Sequence, residues 1–246
     1  MLGVMVSWWQ DKAVLVLGGQ GFLGRALCQD LESLGSRAIP IDRADAAFSV
    51  DLLDPRALDT VITELFEEEP KVGGLGLVVA SGHSVFSPSS ARTVEEIEQV
   101  LMTNLAVPIL ALNTLAAWSK ATGIESTAVV IGSIFGSRVP TFSNYQFSER
   151  RNSEVYGASK AGVEQLVRYY GQLLGREGVR VNAVAPGGIY DSSVHTADFV
   201  KSYGNDTALG RMSDLNEVVD AIRFMLGPDS RGIVGQTLSV DCGFKL

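Results

Sequence analysis

Short apolar runs alternate with stretches of helical periodicity along this chain. Lys12–Leu17 is a β-branched run, apolar on both faces, and predicts a buried strand. A glycine-rich turn follows. Phe22 to Gly35 then carries Phe22, Leu23, Ala26, Leu27, Leu31 and Leu34 at helical spacing, with Gly35 as the stop. Arg37 to Ile41 predicts a second strand, ending at Asp42. Asp54 and Pro55 open a helix to about Glu69, as N-cap and first helical residue. Gly76 to Ala80 is a third strand. Thr93 to about Ala121 is a long helix with a Thr93–Glu96 capping box. Thr127 to Ile131 is a strand, Glu154 to Glu177 a helix and Val179 to Ala185 a strand. Ser213 to Leu226 is a helix capped by Ser213 and Asn216, and Gln236 to Val240 is the last strand.

Strands apolar on both faces, alternating with helices, predict an α/β fold: a doubly wound parallel sheet with helices on both faces. No linker or repeat divides residues 1–246, so a single domain is expected. Irregular stretches near 84–92, 138–153 and 190–210 all follow strands. In such sheets ligands sit beyond the carboxyl ends of the strands, which makes these stretches candidate substrate loops.

The turn Gly18-Gly19-Gln20-Gly21-Phe22-Leu23-Gly24 lies between the first strand and the first helix. Gly19, Gly21 and Gly24 fit G-x-G-x-x-G, where a pyrophosphate approaches the backbone at a helix N-terminus. Asp42 follows the last glycine by 18 residues (42 − 24). A carboxylate there accepts ribose hydroxyls and repels a 2′-phosphate, which favours NAD over NADP. Arg43 beside it argues the other way, because a guanidinium pairs with that phosphate. Asp51 and Leu52 are candidates for the adenine, with a solvated loop as the plainer reading.

Tyr156 and Lys160 share one helix face at i and i+4. A cation beside a phenol favours phenolate and lowers its pKa from about 10. Spacing alone is a weak signal. Around the pair stand Ser133 at a strand's carboxyl end, Asn104 inside the long helix and Pro186-Gly187-Gly188-Ile189 after a later strand.

On these residues, with Ala80-Ser81-Gly82, Arg180-Val181-Asn182 and Val240-Asp241-Cys242-Gly243, the chain resembles the short-chain dehydrogenase/reductase family, in its short single-domain branch. The match runs from Lys12 to Gly243. The resemblance implies a Rossmann-like sheet of about seven strands and an NAD(P)-dependent oxidoreductase moving hydride between nicotinamide and a carbonyl or secondary alcohol. It also implies a tetrad. Tyr156 would be the acid or base, Ser133 would bind the substrate oxygen, Lys160 would hold the nicotinamide ribose and tune Tyr156, and Asn104 would hold a water. The cofactor would lie along Gly18–Gly24, Asp42, Ala80–Gly82, Tyr156, Lys160, Pro186, Gly187 and Ile189. Substrate candidates are Ser133, Tyr156, His83, Tyr145, Gly188 and His195. A homodimer or homotetramer follows from the same resemblance.

The sequence departs from the family's pattern. The glycine turn is as similar to the longer, sugar-nucleotide-modifying branch. Ser81 stands where an alanine is usual. Ser133 and Tyr156 are 23 residues apart (156 − 133), more than is usual, and Phe142 to Ser153 is the excess. That insertion, the loop from Pro186 to Asp191 and the ending Asp241-Cys242-Gly243-Phe244 are loosely similar to a subgroup tied to bacterial surface-sugar pathways, including legionaminic-acid-type sugars and flagellin modification. A sugar or nucleotide-sugar substrate is one expectation. A catalytically silent dinucleotide-binding scaffold is an alternative, against which the intact tetrad counts. A nucleotide-sugar epimerase or dehydratase is another, against which counts the lack of a C-terminal substrate domain.

Composition narrows the classes. The net charge of −8 offers no broad attraction for nucleic acid or anionic lipid. Two cysteines and two histidines at unrelated spacings predict no metal site. No unbroken apolar run of about 18 residues appears, so no spanning helix and no membrane partner is expected. A cytoplasmic protein with a small-molecule substrate is the resulting expectation. Arg138, Arg150 and Arg151 flank or occupy the insertion and read as solvated surface. Trp8 and Trp9 read as packing on the sheet, and Tyr169–Tyr170 as core or subunit contact.

Overall fold

The computed structural model describes residues 8–43, 46–54, 56–68, 73–145 and 151–246. Its centre is a seven-stranded parallel sheet in the order β3-β2-β1-β4-β5-β6-β7. The strands are β1 (Lys12–Leu17), β2 (Arg37–Asp42), β3 (Phe48–Ser49), β4 (Gly74–Val79), β5 (Ser126–Ile131), β6 (Val179–Pro186) and β7 (Thr237–Val240). The helices are α1 (Phe22–Ser33), α2 (Ala57–Glu68), α3 (Val94–Leu101), α4 (Val107–Thr122), α5 (Glu154–Leu174), α6 (Ala197–Gly204) and α7 (Leu215–Leu226). Chain direction across the sheet reverses between β1 and β4, so a crevice opens at the carboxyl ends of those strands.

The period of two in β1 divides the core. Ala13, Leu15 and Leu17 face one side, with α2, α4 and α5 (Leu58, Val61, Leu112, Val163). Val14 and Val16 face the other, with Trp9, α1 and α7 (Leu27, Leu31, Val218, Ile222). Trp9 is thus core, and Trp8 meets it edge-on at 4.8 Å. Tyr170 is buried, with its hydroxyl on Asn113 at 2.7 Å, whereas Tyr169 is exposed.

Some expected elements change. The long helix is interrupted by a π turn at Met102–Ala106, and α4 begins afresh with Pro108 in its first turn. Proline has no N–H for the carbonyl four residues back, here that of Asn104, and its ring crowds it, so the helix widens there. The stretch Val94–Thr122 is long and apolar enough to cross a membrane by length and composition, with mean hydropathy 1.7. Averaging passes over polar positions such as Asn104 that break the apolar run. In the fold Val107, Ala111, Leu112 and Leu115 of this stretch are core against the sheet.

The cap of α7 is also shifted. Asp214, not Ser213, is its N-cap, and the Glu217 carboxylate, rather than Asn216, accepts the Asp214 N–H at 2.8 Å. Ser213 is committed elsewhere, its hydroxyl donating to the Val240 carbonyl at 3.1 Å. Asp54 accepts the Arg56 N–H at 2.9 Å, but α2 begins at Ala57, later than the start expected at Asp54 and Pro55. Pro55 and Arg150 lie outside the described residues. The short β3 and the helix α6, inside the stretch read as irregular near 190–210, are additions.

Candidate active site

The glycine turn is shaped by backbone contact. Gly18 has φ +81°, and a Cβ there would stand 2.6 Å from the Ser81 nitrogen. A Cβ on Gly24 would stand 2.2 Å from the Gly18 carbonyl oxygen. The turn therefore lies flat against the start of α1 and the residues after β4. Gly21 is the N-cap of α1, and no side chain caps it. The first-turn N–H groups and the helix dipole are accordingly aimed past the glycines.

Asp42 closes β2 beside this turn. Its carboxylate accepts the Gln20 N–H at 3.1 Å and the Arg43 N–H at 2.8 Å. Gln20 in turn accepts the Arg25 Nε–H at 3.1 Å. Phe22 and Arg43 are exposed, and Leu23 turns into the neighbouring cleft. Asp51 caps its own turn by accepting the Leu53 N–H at 3.0 Å, and Leu52 packs on the core. The Ser81 hydroxyl is buried and makes no hydrogen bond. Flat glycines, an uncapped helix N-terminus, a carboxylate at the next strand and an orphaned hydroxyl fit a dinucleotide.

A cleft of about 460 Å³ opens from there across the carboxyl ends of β4, β5 and β6. Ala80, Gly82, His83, Ser133, Tyr156, Lys160 and Pro186 through Ile189 all line it. Ser133 reaches Tyr156 because two backbones approach closely. A Cβ on Gly136, in the turn after β5, would stand 2.8 Å from the Lys160 carbonyl. Ser133 accepts the Phe135 N–H at 3.2 Å and is hydrogen-bonded to the Tyr156 side chain. Ser153 caps α5 by accepting the Tyr156 N–H at 3.2 Å, which sets where the tyrosine starts in the helix.

Lys160 is fully buried, its Nζ donating to the Ile131 carbonyl at 2.7 Å and lying 5.7 Å from the centre of the Tyr156 ring. Burial lowers its pKa to about 8. Burial also raises the Tyr156 phenol above its ordinary value, and the Ser133 hydrogen bond only partly opposes this. The expected lowering of the phenol is therefore reversed. Burial of the phenol dominates, and the Lys160 ammonium is directed at the Ile131 carbonyl.

Asn104 sits in the π turn, 1% exposed. Its Oδ1 accepts the His83 N–H at 2.8 Å, and its Nδ2 donates to the His83 carbonyl at 3.0 Å and to Ser159 Oγ at 2.9 Å. Both ends of the amide are thus spent on protein, fixing the loop after β4 to α5.

The outer wall is aromatic. His195 stacks on Phe199 at 5.2 Å and 11°, with Nδ1 accepting the Asp191 N–H at 3.1 Å. Phe199 also meets Tyr145 at 5.4 Å and Tyr203 at 5.9 Å. The Gly188 N–H donates to the Tyr203 hydroxyl at 2.6 Å. Burial pushes the Tyr145 phenol up to about 12. Phe199 and Tyr203 had not been singled out from the sequence. Their signal was there: Thr196 as an N-cap, followed by apolar positions at i and i+4. Of the flanking cations, Arg138 pairs with Asp241 at 3.6 Å, and Arg151 lies over the Phe142 ring at 5.2 Å.

Known proteins are similar to this chain in sequence and fold. The family model described as Enoyl-(Acyl carrier protein) reductase matches residues 29–245. The chain is 26% identical to the post-translational flagellin modification protein A of Campylobacter coli, covering 96% of this chain and 99% of that protein. It is 27% identical to human L-xylulose reductase, covering 95% and 96%. The crystal structure of a short-chain dehydrogenase from Leptospira borgpetersenii with bound NAD+ superposes with a TM-score of 0.87 at 28% identity, covering 97% and 94%. With its glycine turn, its Ser133–Tyr156–Lys160 cluster and this breadth of likeness, the chain belongs to the short-chain dehydrogenase/reductase family and is an NAD(P)-dependent oxidoreductase.

Proposed function

We propose that this oxidoreductase uses NAD(H) and acts on an uncharged, sugar-like carbonyl or secondary alcohol. The carrying observation is the Asp42 carboxylate, held by the Gln20 and Arg43 amides at the end of β2. So held, it cannot swing aside for a 2′-phosphate, and it accepts ribose hydroxyls well. The Leptospira structure, with its bound NAD+, supports this choice.

Tyr156 gives its phenolic proton to a substrate oxygen in reduction and takes it back in oxidation. Ser133 holds that oxygen beside it. Lys160 would hold the nicotinamide ribose and, as an ammonium, would lower the cost of phenolate. Asn104 keeps the His83 backbone and α5 in register. The bound nicotinamide supplies or accepts the hydride.

The lining bears on the substrate. Among the described residues of the cleft, Lys160 is the only Lys, Arg, Asp or Glu. A substrate phosphate or carboxylate would find there only the Lys160 ammonium, already bonded to the Ile131 carbonyl, to offset its desolvation, which disfavours it. Rings such as Phe199 and Tyr145 suit the apolar face of a sugar. The name of the human relative, L-xylulose reductase, points the same way. The test is initial rates of NADH oxidation with L-xylulose beside D-xylulose 5-phosphate, each repeated with NADPH. Turnover confined to NADH and the neutral ketose supports the reading. A preference for NADPH or for the phosphate overturns the corresponding half.

We also propose a homo-oligomer, since Met102, Tyr169 and Leu173 of the long helices are exposed. Light scattering at the monomer mass would refute it.

A further inference from the structure

We infer that Asn144 is a positioning residue that fastens the turn Phe142–Tyr145 to α6, so that this turn and α6 form one roof over the cleft. The inference rests on the oxidoreductase reading for its effect on substrate, but not for the fastening itself. Asn144 lies in the short 3₁₀ turn Phe142–Tyr145, at the start of the insertion. Its amide is used at both ends. Nδ2 donates to the Asp206 carboxylate at 2.8 Å, and Oδ1 accepts the Ser202 hydroxyl at 2.7 Å. Ser202 is on α6 and Asp206 in the turn after it, so one planar group spans the end of that helix.

The neighbours give the fastening its purpose. Tyr145, next in sequence, lines the cleft and packs on Phe199 of α6 at 5.4 Å. From α6 and the loop before it, His195, Thr196, Phe199 and Tyr203 line the same cleft. Asn144 itself does not line it. It therefore acts through Tyr145 and Phe199, by fixing the spacing of the rings a substrate would touch. A charge-assisted bond from an amide to a carboxylate is stronger than a neutral one, and here the donor is uncharged and fixed in place. The turn after α6 is anchored from below as well, since the Asp206 carbonyl accepts the Lys245 N–H at 2.8 Å. Roof and C-terminal segment thus share one residue.

The test is a reciprocal exchange. Asn144→Asp sets carboxylate against carboxylate and removes the donor. Asn144→Asp combined with Asp206→Asn returns a donor and an acceptor to the same pair, and leaves an oxygen for the Ser202 hydroxyl. Amide hydrogen exchange in the NADH-bound protein is read over residues 141–145 and 197–206. The expected result is faster exchange in both segments together in N144D, and its reversal in N144D/D206N. With L-xylulose as probe, KM should rise by about tenfold in N144D with kcat changed less, as positional loosening predicts, and return in the double variant. NADH affinity should stay at the wild-type value. Faster exchange in only one segment, or failure of the double variant to recover, overturns the inference. Absence of any L-xylulose turnover in the wild type would count against the substrate reading, and the exchange result would still decide the role of Asn144.

Discussion

Asp42 Oδ2 accepts the Gln20 backbone N–H at 3.1 Å, so the end of β2 and the glycine turn are joined by the side chain proposed to select the cofactor. Replacing Asp42 by Ser removes both the charge and one anchor of the turn. The NADH dissociation constant is expected to rise by about tenfold, equivalent to about 1.4 kcal/mol, while that of NADPH falls. Titration of each cofactor by quenching of protein fluorescence measures this. An unchanged ratio of the two constants would remove Asp42 from the selection.

Tyr156→Phe deletes one hydroxyl and leaves the ring in place. Turnover should fall below about one per cent, the scale on which a positioned acid contributes, with NADH affinity within about twofold. Retention of a tenth of the activity or more would transfer the proton step to another group.

Lys160 carries a signed pH dependence. Its folded pKa is depressed to about 8, below the unfolded value of 10.5, because it is buried. The folded protein therefore binds fewer protons than the unfolded chain between these values, and stability rises with pH across the window. Below it the buried ammonium costs about 3 kcal/mol. Lys160→Met lacks this slope. Urea denaturation from pH 7 to pH 10 should show the wild type gaining about 2 kcal/mol on the variant. Parallel curves would show that the ammonium is not desolvated.

Gly24→Ala places a methyl against the Gly18 carbonyl, where the free approach is 2.2 Å. Backbone must move, at about 1–3 kcal/mol. Calorimetry should show a lowered Tm, and NADH binding should weaken by about tenfold or more as the turn lifts from α1. A variant with unchanged Tm and affinity would mean that the turn is looser than its packing implies.

Much of this was legible because it is local. The apolar runs of β1, β5 and β6 read as strands without neighbours, and the glycine turn, Tyr156 with Lys160, and Ser133 sit where spacing placed them. What was not legible depends on partners far along the chain. Ser213 looks like an N-cap until the Val240 carbonyl takes its hydroxyl, which passes the role to Asp214. The upward shift of the Tyr156 phenol needs knowledge of its burial, which spacing does not carry. Asn144 gains its meaning only from Ser202 and Asp206, 58 and 62 residues away. The π turn was missed in an expected unbroken helix, because Pro108 announces a lost bond but not how the helix absorbs it.

That turn makes the site sensitive to length rather than to composition. The helical stretch from Val94 to Thr122 runs in two frames, out of phase with one another across Met102–Ala106. Loss of a single residue there would let the two frames merge, and one segment would rotate by about 100° relative to the other. Either Asn104 would leave Ser159 and His83, or Val107, Ala111 and Leu112 would leave the core. Within this one segment, many side-chain exchanges on the solvent face cost little, whereas a deletion of one codon would break the site or the sheet that carries it.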